Sequence, residues 1–329
     1  MAGGRLTTLL FFVGLGFLVL GAEMLVRGAS RLATTLGLSP LVIGLTVVAF
    51  GTSSPEMAVS VLASLCGDSD IGLGNVVGSN IFNVLLILGV SAAVRPLAVA
   101  SQVVREQTPV MIAVSILVLL LALDGVIGRG EGALLFAGVW VYTGVLVVRG
   151  RRETRREAEA AVATGGDAPA PGPGAGAMAL DAVLVVAGLA LLVVGSNWLV
   201  DAARAVALAL GVPEITVGLT IVAAGTSLPE LATSVLATLR GQRDIAVGNI
   251  VGSNIFNLLA ILGFSAAISP DGVVAAARAI AVDIPVMVGV ALFCYPMFAT
   301  GHRVSRGEGL LLLAGYAVYT FMLVRSATG

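Results

Sequence analysis

One stretch of this sequence occurs twice, and that repeat constrains the fold more than any other feature. Residues 50–89 read FGTSSPEMAVSVLASLCGDSDIGLGNVVGSNIFNVLLILG, and residues 224–263 read AGTSLPELATSVLATLRGQRDIAVGNIVGSNIFNLLAILG. Aligned without a gap at an offset of 174, the two stretches are identical at 27 of 40 positions. Self-similarity at a fixed spacing is typical of repeat architectures, so the chain consists of two copies of one structural unit.

Composition places both copies in a lipid bilayer. Of the 329 residues, 58% are hydrophobic and 11% are charged, whereas soluble domains carry about 25% charged residues. Several continuous apolar stretches reach the roughly 20 residues that a membrane-spanning helix needs. The sequence therefore predicts an all-α polytopic membrane protein in contact with lipid. The net charge of −1 gives no indication of nucleic-acid binding.

The hydrophobic pattern predicts ten membrane spans, five in each half of the chain. They cover approximately residues 6–26, 38–65, 70–94, 104–123, 130–149, 179–200, 212–239, 244–268, 277–299 and 307–325. The expected organisation is a first five-helix repeat (1–149), a linker (150–178) and a second five-helix repeat (179–329). The charged first part of the linker could extend the fifth helix. Its second part, rich in Pro, Gly and Ala, is typical of a flexible segment.

An odd number of spans in each repeat inverts the second copy relative to the first. The two halves are then related by a pseudo-two-fold axis in the membrane plane. If the N-terminus lies outside, 13 of the 18 arginines fall on the inner side. Cytoplasmic loops carry the excess of basic residues. We therefore expect a protein of the cell's inner (plasma) membrane, with linker 150–178 cytoplasmic and both termini external.

Proline interrupts the second and seventh spans at matching positions. Pro55 lacks an N–H group and its ring clashes with the carbonyl of Gly51, and Pro229 and Gly225 repeat this arrangement. Non-helical backbone at membrane depth is tolerated only where it is buried in protein or lines a cavity. Interruptions at corresponding positions of two halves indicate the binding site of a transporter.

A glutamate follows each of these prolines, deep within its span. A carboxylate at that depth is costly and therefore indicates function, although a buried hydrogen bond or a permanently protonated acid is the alternative explanation. Thr52 and Thr226 lie four residues before Glu56 and Glu230, on the same helix face. Carboxylate, hydroxyl and carbonyl oxygens are the ligands of hard cations such as Ca²⁺ and Na⁺. The two carboxylates would repel each other, and a divalent cation or several monovalent cations would relieve that repulsion.

The third and eighth spans contribute further polar side chains. Their motifs, GNVVGSNIFN and GNIVGSNIFN, combine a small-xxx-small glycine pattern, which lets helices pack closely, with serine and asparagine. Interhelical hydrogen bonding is the alternative role for the serines and asparagines. The residues concerned are Gly74, Gly78, Ser79, Asn80 and Asn83 in the first copy, and Gly248, Gly252, Ser253, Asn254 and Asn257 in the second.

These paired motifs resemble the two α-repeats of the calcium/cation antiporter superfamily, and the short hydrophilic loop resembles that of the prokaryotic sodium/calcium exchangers. The resemblance covers essentially the whole chain. It implies ten transmembrane helices in two inverted halves, and we expect helices 2, 3, 7 and 8 to be broken. It also implies exchange of Ca²⁺ for Na⁺ by alternating access, with helices 1 and 6 sliding across the other eight.

The resemblance further implies a set of metal ligands, with no catalytic residue and no cofactor besides the transported Ca²⁺ and Na⁺. The ligands are Glu56, Glu230, Thr52, Thr226, Ser53, Ser227, Ser79, Ser253, Asn83, Asn257, Ala49 and Ala223, the alanines through their carbonyls. Some potassium-dependent members carry Asp where this chain has Asn257. The site therefore has one carboxylate fewer, which weakens the case for K⁺ transport.

The sequence also bears on three other functions. A Ca²⁺/H⁺ exchanger stays open, because glutamates can carry protons. An intramembrane hydrolase is disfavoured, because a serine nucleophile needs a base, the chain has no lysine, and its one histidine, His302, lies in a predicted loop. A channel does not need paired broken helices. A monomer is compatible with all these features.

Overall fold

The computed structural model describes residues 2–163, 175–210 and 223–328, and these residues are almost all helical. The long helices are α1 (Ala2–Leu36), α2 (Pro40–Thr52), α3 (Ser54–Cys66), α4 (Asp70–Val94), α5 (Val103–Leu121), α6 (Arg129–Ala163), α7 (Ala175–Ala209), α8 (Leu228–Leu239), α9 (Arg243–Ile268), α10 (Ala279–Ala299) and α11 (Arg306–Thr328). In this described part of the chain, eight helices are long and apolar enough to cross a membrane, and the bent pair α2–α3 makes a ninth.

These helices coincide with nine of the predicted spans. The seventh predicted span, 212–239, begins in a segment outside the described residues, and α8 forms its end. Residues 164–174 of the predicted linker also lie outside them. The charged start of that linker does extend the fifth spanning helix, because α6 continues to Ala163.

The most buried helices are α4 and α9. Over a stretch long enough to span a membrane, every residue of α9 and 78% of the residues of α4 are buried. In the other six long helices, the buried share of residues lies between 11% and 39%. Large apolar side chains cover the outside of those helices, such as Phe12, Leu134 and Trp140. An apolar exterior of this extent would be unfavourable in water but matches lipid tails. The chain is thus an all-helical, multi-pass membrane protein with α4 and α9 at its centre.

Helices α1 and α7 pack against each other almost backbone to backbone. A Cβ atom added at Gly14 would lie 2.8 Å from the carbonyl oxygen of Gly195, and one at Gly21 would lie 2.7 Å from that of Gly188. Small residues at such crossings let two helices approach closely. Because Gly14 meets Gly195 while Gly21 meets Gly188, the two helices run antiparallel.

Two short strand pairs tie the first half of the chain to the second. Strand β1 (Leu97–Ala98) pairs antiparallel with β4 (Arg303–Val304), and β2 (Val126–Ile127) pairs antiparallel with β3 (Val273–Val274). Each pair therefore joins one connection between helices in residues 1–149 to one in residues 179–329. Since the backbone groups of these connections form hydrogen bonds from one half to the other, the strand pairs fix the position of the two halves relative to each other at these two points.

The backbone departs from regular helical geometry just before each of the two prolines. Helices α2 and α3 meet at Ser53 with a bend of 47°, and Ser53 has φ −81° and ψ 11°. In the second half, the short turn Ala223–Gly225 is followed by non-helical Thr226 and Ser227, and Ser227 has φ −89° and ψ 7°. The same local sequence therefore produces the same backbone conformation twice.

The breaks expected in the third and eighth spans are not confirmed. Helices α4 and α9 continue through the membrane, and each changes from α-helical to π-helical hydrogen bonding, over Asn83–Leu88 and Asn257–Leu262. Neither helix contains a proline that would remove a hydrogen bond or clash with the preceding turn. A π-helical segment widens the turn without interrupting the helix, and such segments occur frequently at functional sites.

The glycines of α9 bring that helix against α2. A Cβ atom at Gly252 would lie 2.7 Å from the carbonyl oxygen of Leu45, and Gly248 approaches α2 similarly. At Gly74 and Gly78 of α4, an added Cβ would meet no described atom within 4 Å. Most of the segment that corresponds to α2 in the second half lies outside the described residues. The close packing predicted from the glycine pattern is thus confirmed for α9.

The α1–α7 crossing gives a stability prediction. Replacing Gly188 by Ala places a methyl group 2.7 Å from the backbone nitrogen of Leu25, so the two helices must separate. Overpacking of this kind costs about 1–3 kcal/mol. We expect a lower midpoint of thermal unfolding in detergent, measured by tryptophan fluorescence. Gly16→Ala in α1 is the matched control, because its methyl group would meet nothing within 4 Å. Equal midpoints for the two variants would contradict the close packing.

Candidate cation site

Both glutamates lie in the first turn of a helix that begins directly after a break. Glu56 is in the first turn of α3 and Glu230 in that of α8, and each is 1% exposed. The N-terminal end of a helix carries partial positive charge on its unpaired N–H groups, which favours a carboxylate there. Each break therefore admits a charged side chain to the protein interior and partly compensates its charge.

Each glutamate is hydrogen-bonded to a serine from the opposite half of the chain. The hydroxyl of Ser53 donates to Oε1 of Glu230 over 2.8 Å, and the hydroxyl of Ser227 donates to Oε1 of Glu56 over 2.7 Å. The Ser227 hydroxyl also lies 3.2 Å from that of Ser79. Because the two serines stand at the two breaks, the broken helices meet and each completes the surroundings of the other's carboxylate.

Four buried acceptor atoms near these residues have no hydrogen-bond partner in the described part of the chain. They are Oε2 of Glu56, Oε2 of Glu230, Oδ1 of Asn83 and Oδ1 of Asn257. Leaving such an acceptor buried and unpaired costs about 1–3 kcal/mol, and more for a charged group. The hydroxyl of Ser253 is also unpartnered. Carboxylate, amide and hydroxyl oxygens are the donor types that hard cations bind, so these residues fit a cation.

The amide groups of four asparagines connect α4 with α9. Nδ2 of Asn83 donates to Oδ1 of Asn254 over 3.0 Å, and Nδ2 of Asn257 donates to Oδ1 of Asn80 over 2.9 Å. In Asn83 and Asn257 the nitrogen makes the interhelical bond, while the oxygen stays without a donor. Interhelical hydrogen bonding and cation binding are thus not exclusive roles here, because different atoms of one amide serve them.

Thr52 and Ala49 form the last turn of α2, immediately before the first break. The Thr52 side chain is fully buried, and its hydroxyl lies 3.0 Å from the carbonyl oxygen of Val48 and 3.4 Å from that of Ala49. The Ala49 carbonyl also accepts from the N–H of Ser53 over 3.1 Å. A carbonyl oxygen has two lone pairs. While the Ala49 carbonyl accepts both hydrogen bonds, no lone pair is left to bind a cation.

The second copy repeats this turn with small differences. Ala223 begins the turn Ala223–Gly225, and Thr226 is partly exposed. The Thr226 hydroxyl lies 3.5 Å from Oδ1 of Asn75 in the first half. The structure thus places all twelve predicted residues on the two breaks or on the central helices α4 and α9. Direct hydrogen bonds join Glu56, Ser227 and Ser79 in one group, and Glu230 and Ser53 in another.

Two further asparagines, which are not among the predicted ligands, contact this region. Asn75 and Asn249 hydrogen-bond to the backbone carbonyls of Glu56 and Glu230 over 3.2 and 3.4 Å. A signal was present in the sequence, because both are polar residues at matching positions of the repeat, inside apolar helices. Both belong to the motifs GNVVGSNIFN and GNIVGSNIFN, in which every shared polar residue was therefore informative.

Several other acidic residues of the spanning helices are paired with arginine, unlike the two glutamates. Glu23 bonds to Arg240 at 2.8 Å and Glu106 to Arg149 at 3.3 Å. Among the described residues, Glu56 and Glu230 have no such ion pair. When ionised, two buried carboxylates without an arginine partner would carry a negative charge that a bound cation can offset.

Comparison with known proteins identifies relatives along the whole chain. The family described as sodium/calcium exchanger protein matches residues 6–148 and 180–325. The inner membrane protein YrbG of Escherichia coli is 40% identical, with 97% of each chain covered. The sodium/calcium exchanger MaX1 of Methanosarcina acetivorans is 35% identical, with 96% of this chain and 97% of MaX1 covered.

A solved structure shows the same fold. The sodium–calcium exchanger NCX_Mj, soaked with zero Na⁺ and Ca²⁺, superposes with a TM-score of 0.82 at 31% identity. The match covers 97% of this chain and 99% of that one. A structure studied for extracellular ion exchange thus shares the all-helical arrangement described above.

The unpartnered oxygens predict stabilisation by cations. We expect Ca²⁺ to raise the midpoint of thermal unfolding in detergent, because a ligand at 100 times its Kd adds about 2.7 kcal/mol to the stability of the folded state. Glu56→Gln and Glu230→Gln should each abolish most of this increase. Without added cations both variants should be at least as stable as the native protein, because each removes a buried, unpaired charge.

The matched control is Glu106→Gln, which removes a carboxylate paired with Arg149 at 3.3 Å and outside the candidate site. This variant should respond to Ca²⁺ like the native protein. An undiminished Ca²⁺ response in Glu56→Gln and Glu230→Gln would show that the cation binds elsewhere.

Proposed function

Because the chain belongs to the sodium/calcium exchanger family, we propose that it is a secondary active antiporter that exchanges Na⁺ for Ca²⁺ across the membrane by alternating access. The family consists of transporters, so the chain is not an enzyme. One observation carries the proposal: two buried glutamates are held by serines of opposite halves, and each keeps one oxygen without a partner. The names of MaX1 and NCX_Mj support Na⁺ and Ca²⁺ as the ions.

The twelve predicted residues are the ligands in this proposal. Glu56 and Glu230 supply the charge, and the amide oxygens of Asn83 and Asn257 supply neutral ligands from α4 and α9. Hydroxyl and carbonyl oxygens complete the shell: Thr52, Ser53, Ser79, Thr226, Ser227, Ser253, Ala49 and Ala223. Such a set has few charges and many neutral oxygens, and Na⁺ as well as Ca²⁺ accepts ligands of this kind.

Coupling follows from the charge of the site. One Ca²⁺ or more than one Na⁺ offsets the two carboxylates, so either ion fills overlapping positions and excludes the other. An empty site would leave two unpaired charges in an interior of low dielectric constant, which is costly. If the transporter changes conformation only when bound ions offset the charge of the two carboxylates, it can return only after it has bound the second ion. The two fluxes are thereby coupled.

The arrangement we propose is ten helices in two inverted five-helix halves, 1–149 and 179–329, joined by linker 150–178. The antiparallel glycine crossings of α1 and α7 support inversion, and so do the strand pairs that join the halves. The linker is placed in the cytoplasm and both termini outside, on the distribution of arginines.

Helices α1 and α7 are the moving part in this mechanism. They carry none of the twelve proposed ligands, and they pack on each other at Gly14–Gly195 and Gly21–Gly188. A pair held together by backbone contacts can move as one body across the other helices. Sliding of this pair would expose the site first to one side of the membrane and then to the other.

Proton coupling is the second candidate. Glu56 and Glu230 are acids whose unpartnered oxygens can bind protons as well as cations. Two protons would offset the same two charges as one Ca²⁺. The ligands alone therefore allow exchange of Ca²⁺ for H⁺, and the driving gradient distinguishes the two functions.

The deciding experiment is uptake of radioactive Ca²⁺ into proteoliposomes loaded with Na⁺ or K⁺, or bearing a pH gradient. We expect uptake that requires internal Na⁺ and is lost in Glu56→Gln and Glu230→Gln, with Glu106→Gln as the active control. Uptake driven only by the pH gradient would assign the protein to proton-coupled exchange. Folded protein without uptake under any gradient would exclude Ca²⁺ as the transported ion.

A further inference from the structure

Asn249 connects the two halves of the chain at the candidate site. Its Nδ2 donates to the hydroxyl of Ser234 over 2.9 Å and to the carbonyl of Glu230 over 3.4 Å, both in its own half. Its Oδ1 lies 3.1 Å from the hydroxyl of Thr52, in the opposite half. The asparagine is completely buried. Because both amide hydrogens have acceptors, its oxygen is directed toward Thr52.

Asn75 makes the same set of contacts with the halves exchanged. Its Nδ2 donates to the hydroxyl of Ser60 over 3.0 Å and to the carbonyl of Glu56 over 3.2 Å. Its Oδ1 lies 3.5 Å from the hydroxyl of Thr226. Every residue in this set matches its counterpart around Asn249 at the offset of 174. Because the same arrangement occurs in both halves, both threonine hydroxyls have the same need for an asparagine oxygen.

The requirement follows from the single hydrogen of a threonine hydroxyl. Inside a helix that hydrogen usually bonds to the carbonyl of the preceding turn, and for Thr52 the carbonyls of Val48 and Ala49 lie within 3.4 Å. A hydroxyl that ligates a cation must direct its hydrogen away from that cation. Oδ1 of Asn249 has no hydrogen and accepts from outside the helix, so it offers the hydroxyl hydrogen another acceptor.

We propose that Asn249 and Asn75 are positioning residues for cation binding, each taking the hydroxyl hydrogen of the threonine in the opposite half. This inference rests on the proposed function. The hydroxyl of Thr52 then turns its lone pairs to the ion, and the Ala49 carbonyl keeps a lone pair free for it. Each asparagine also holds the carbonyl of the glutamate in its own half, so it links the two broken helices at one point.

The test is a set of double-mutant cycles on Ca²⁺ affinity, measured from the Ca²⁺ dependence of thermal unfolding in detergent. Asn249→Ala should weaken Ca²⁺ binding roughly three- to tenfold, the size expected for one hydrogen bond. In a Thr52→Val background its effect should be clearly smaller, because the hydroxyl that it positions is absent and only its bonds to Ser234 and to the Glu230 carbonyl remain to be lost. In a Thr52→Ser background, which retains a hydroxyl, the loss should return.

The control cycle pairs Asn249→Ala with Thr226→Val, in the same half. Asn249 makes no hydrogen bond to Thr226 within the described residues, so these effects should add. Asn75→Ala should show the opposite pattern. Its effect on Ca²⁺ affinity should be non-additive with that of Thr226→Val and additive with that of Thr52→Val. Since Asn75 is only partly buried, its cycle remains measurable if Asn249→Ala does not fold.

Two outcomes would overturn the proposal. The positioning role fails if the effects are additive for Asn249→Ala with Thr52→Val and for Asn75→Ala with Thr226→Val, because the asparagines would then contribute only to packing. The proposed function would still stand in that case if Glu56→Gln loses the Ca²⁺ response. If the native protein shows no response to Ca²⁺ or Na⁺, the proposed function fails and the positioning role fails with it.

Discussion

Two carboxylates buried in the interior of a membrane protein are the constraint on which the rest of the structure depends. Glu56 and Glu230 have no arginine partner among the described residues, so the described chain offers their charge only helix ends and hydroxyl groups. The proline breaks supply the helix ends. The serines at those breaks supply one hydrogen bond to each carboxylate. What remains uncompensated is the part that a transported cation can neutralise.

The two halves provide this compensation to each other rather than to themselves. Ser53 serves Glu230, Ser227 serves Glu56, and the asparagines of α4 and α9 bond in the same crosswise manner. A site built in this way forms only when both halves are docked. It also responds to any displacement of one half relative to the other, which is a useful property in a protein that must release its ion on two sides.

Local chemistry explains which structural expectations were confirmed. The break at Pro55 could be predicted, because a proline removes a hydrogen bond of its own helix wherever the helix lies. Breaks in the third and eighth spans were expected from family resemblance, without a residue to cause them, and α4 and α9 instead contain π-helical segments that begin at Asn83 and Asn257. The roles of Asn75 and Asn249 were missed because each bonds to a threonine more than 150 residues away in sequence and to a glutamate and a serine of the preceding helix.

The sequence by itself determined the membrane location, the two-copy organisation and the identity of the polar residues that enter the apolar spans. These follow from composition, repetition and the cost of burying charge, which do not depend on how helices are arranged. Only the tertiary structure decided which serine bonds to which glutamate, and which oxygen of each asparagine stays free. Those choices depend on the docking of two similar halves, and the spacing of residues along one chain carries no information about distances across that interface.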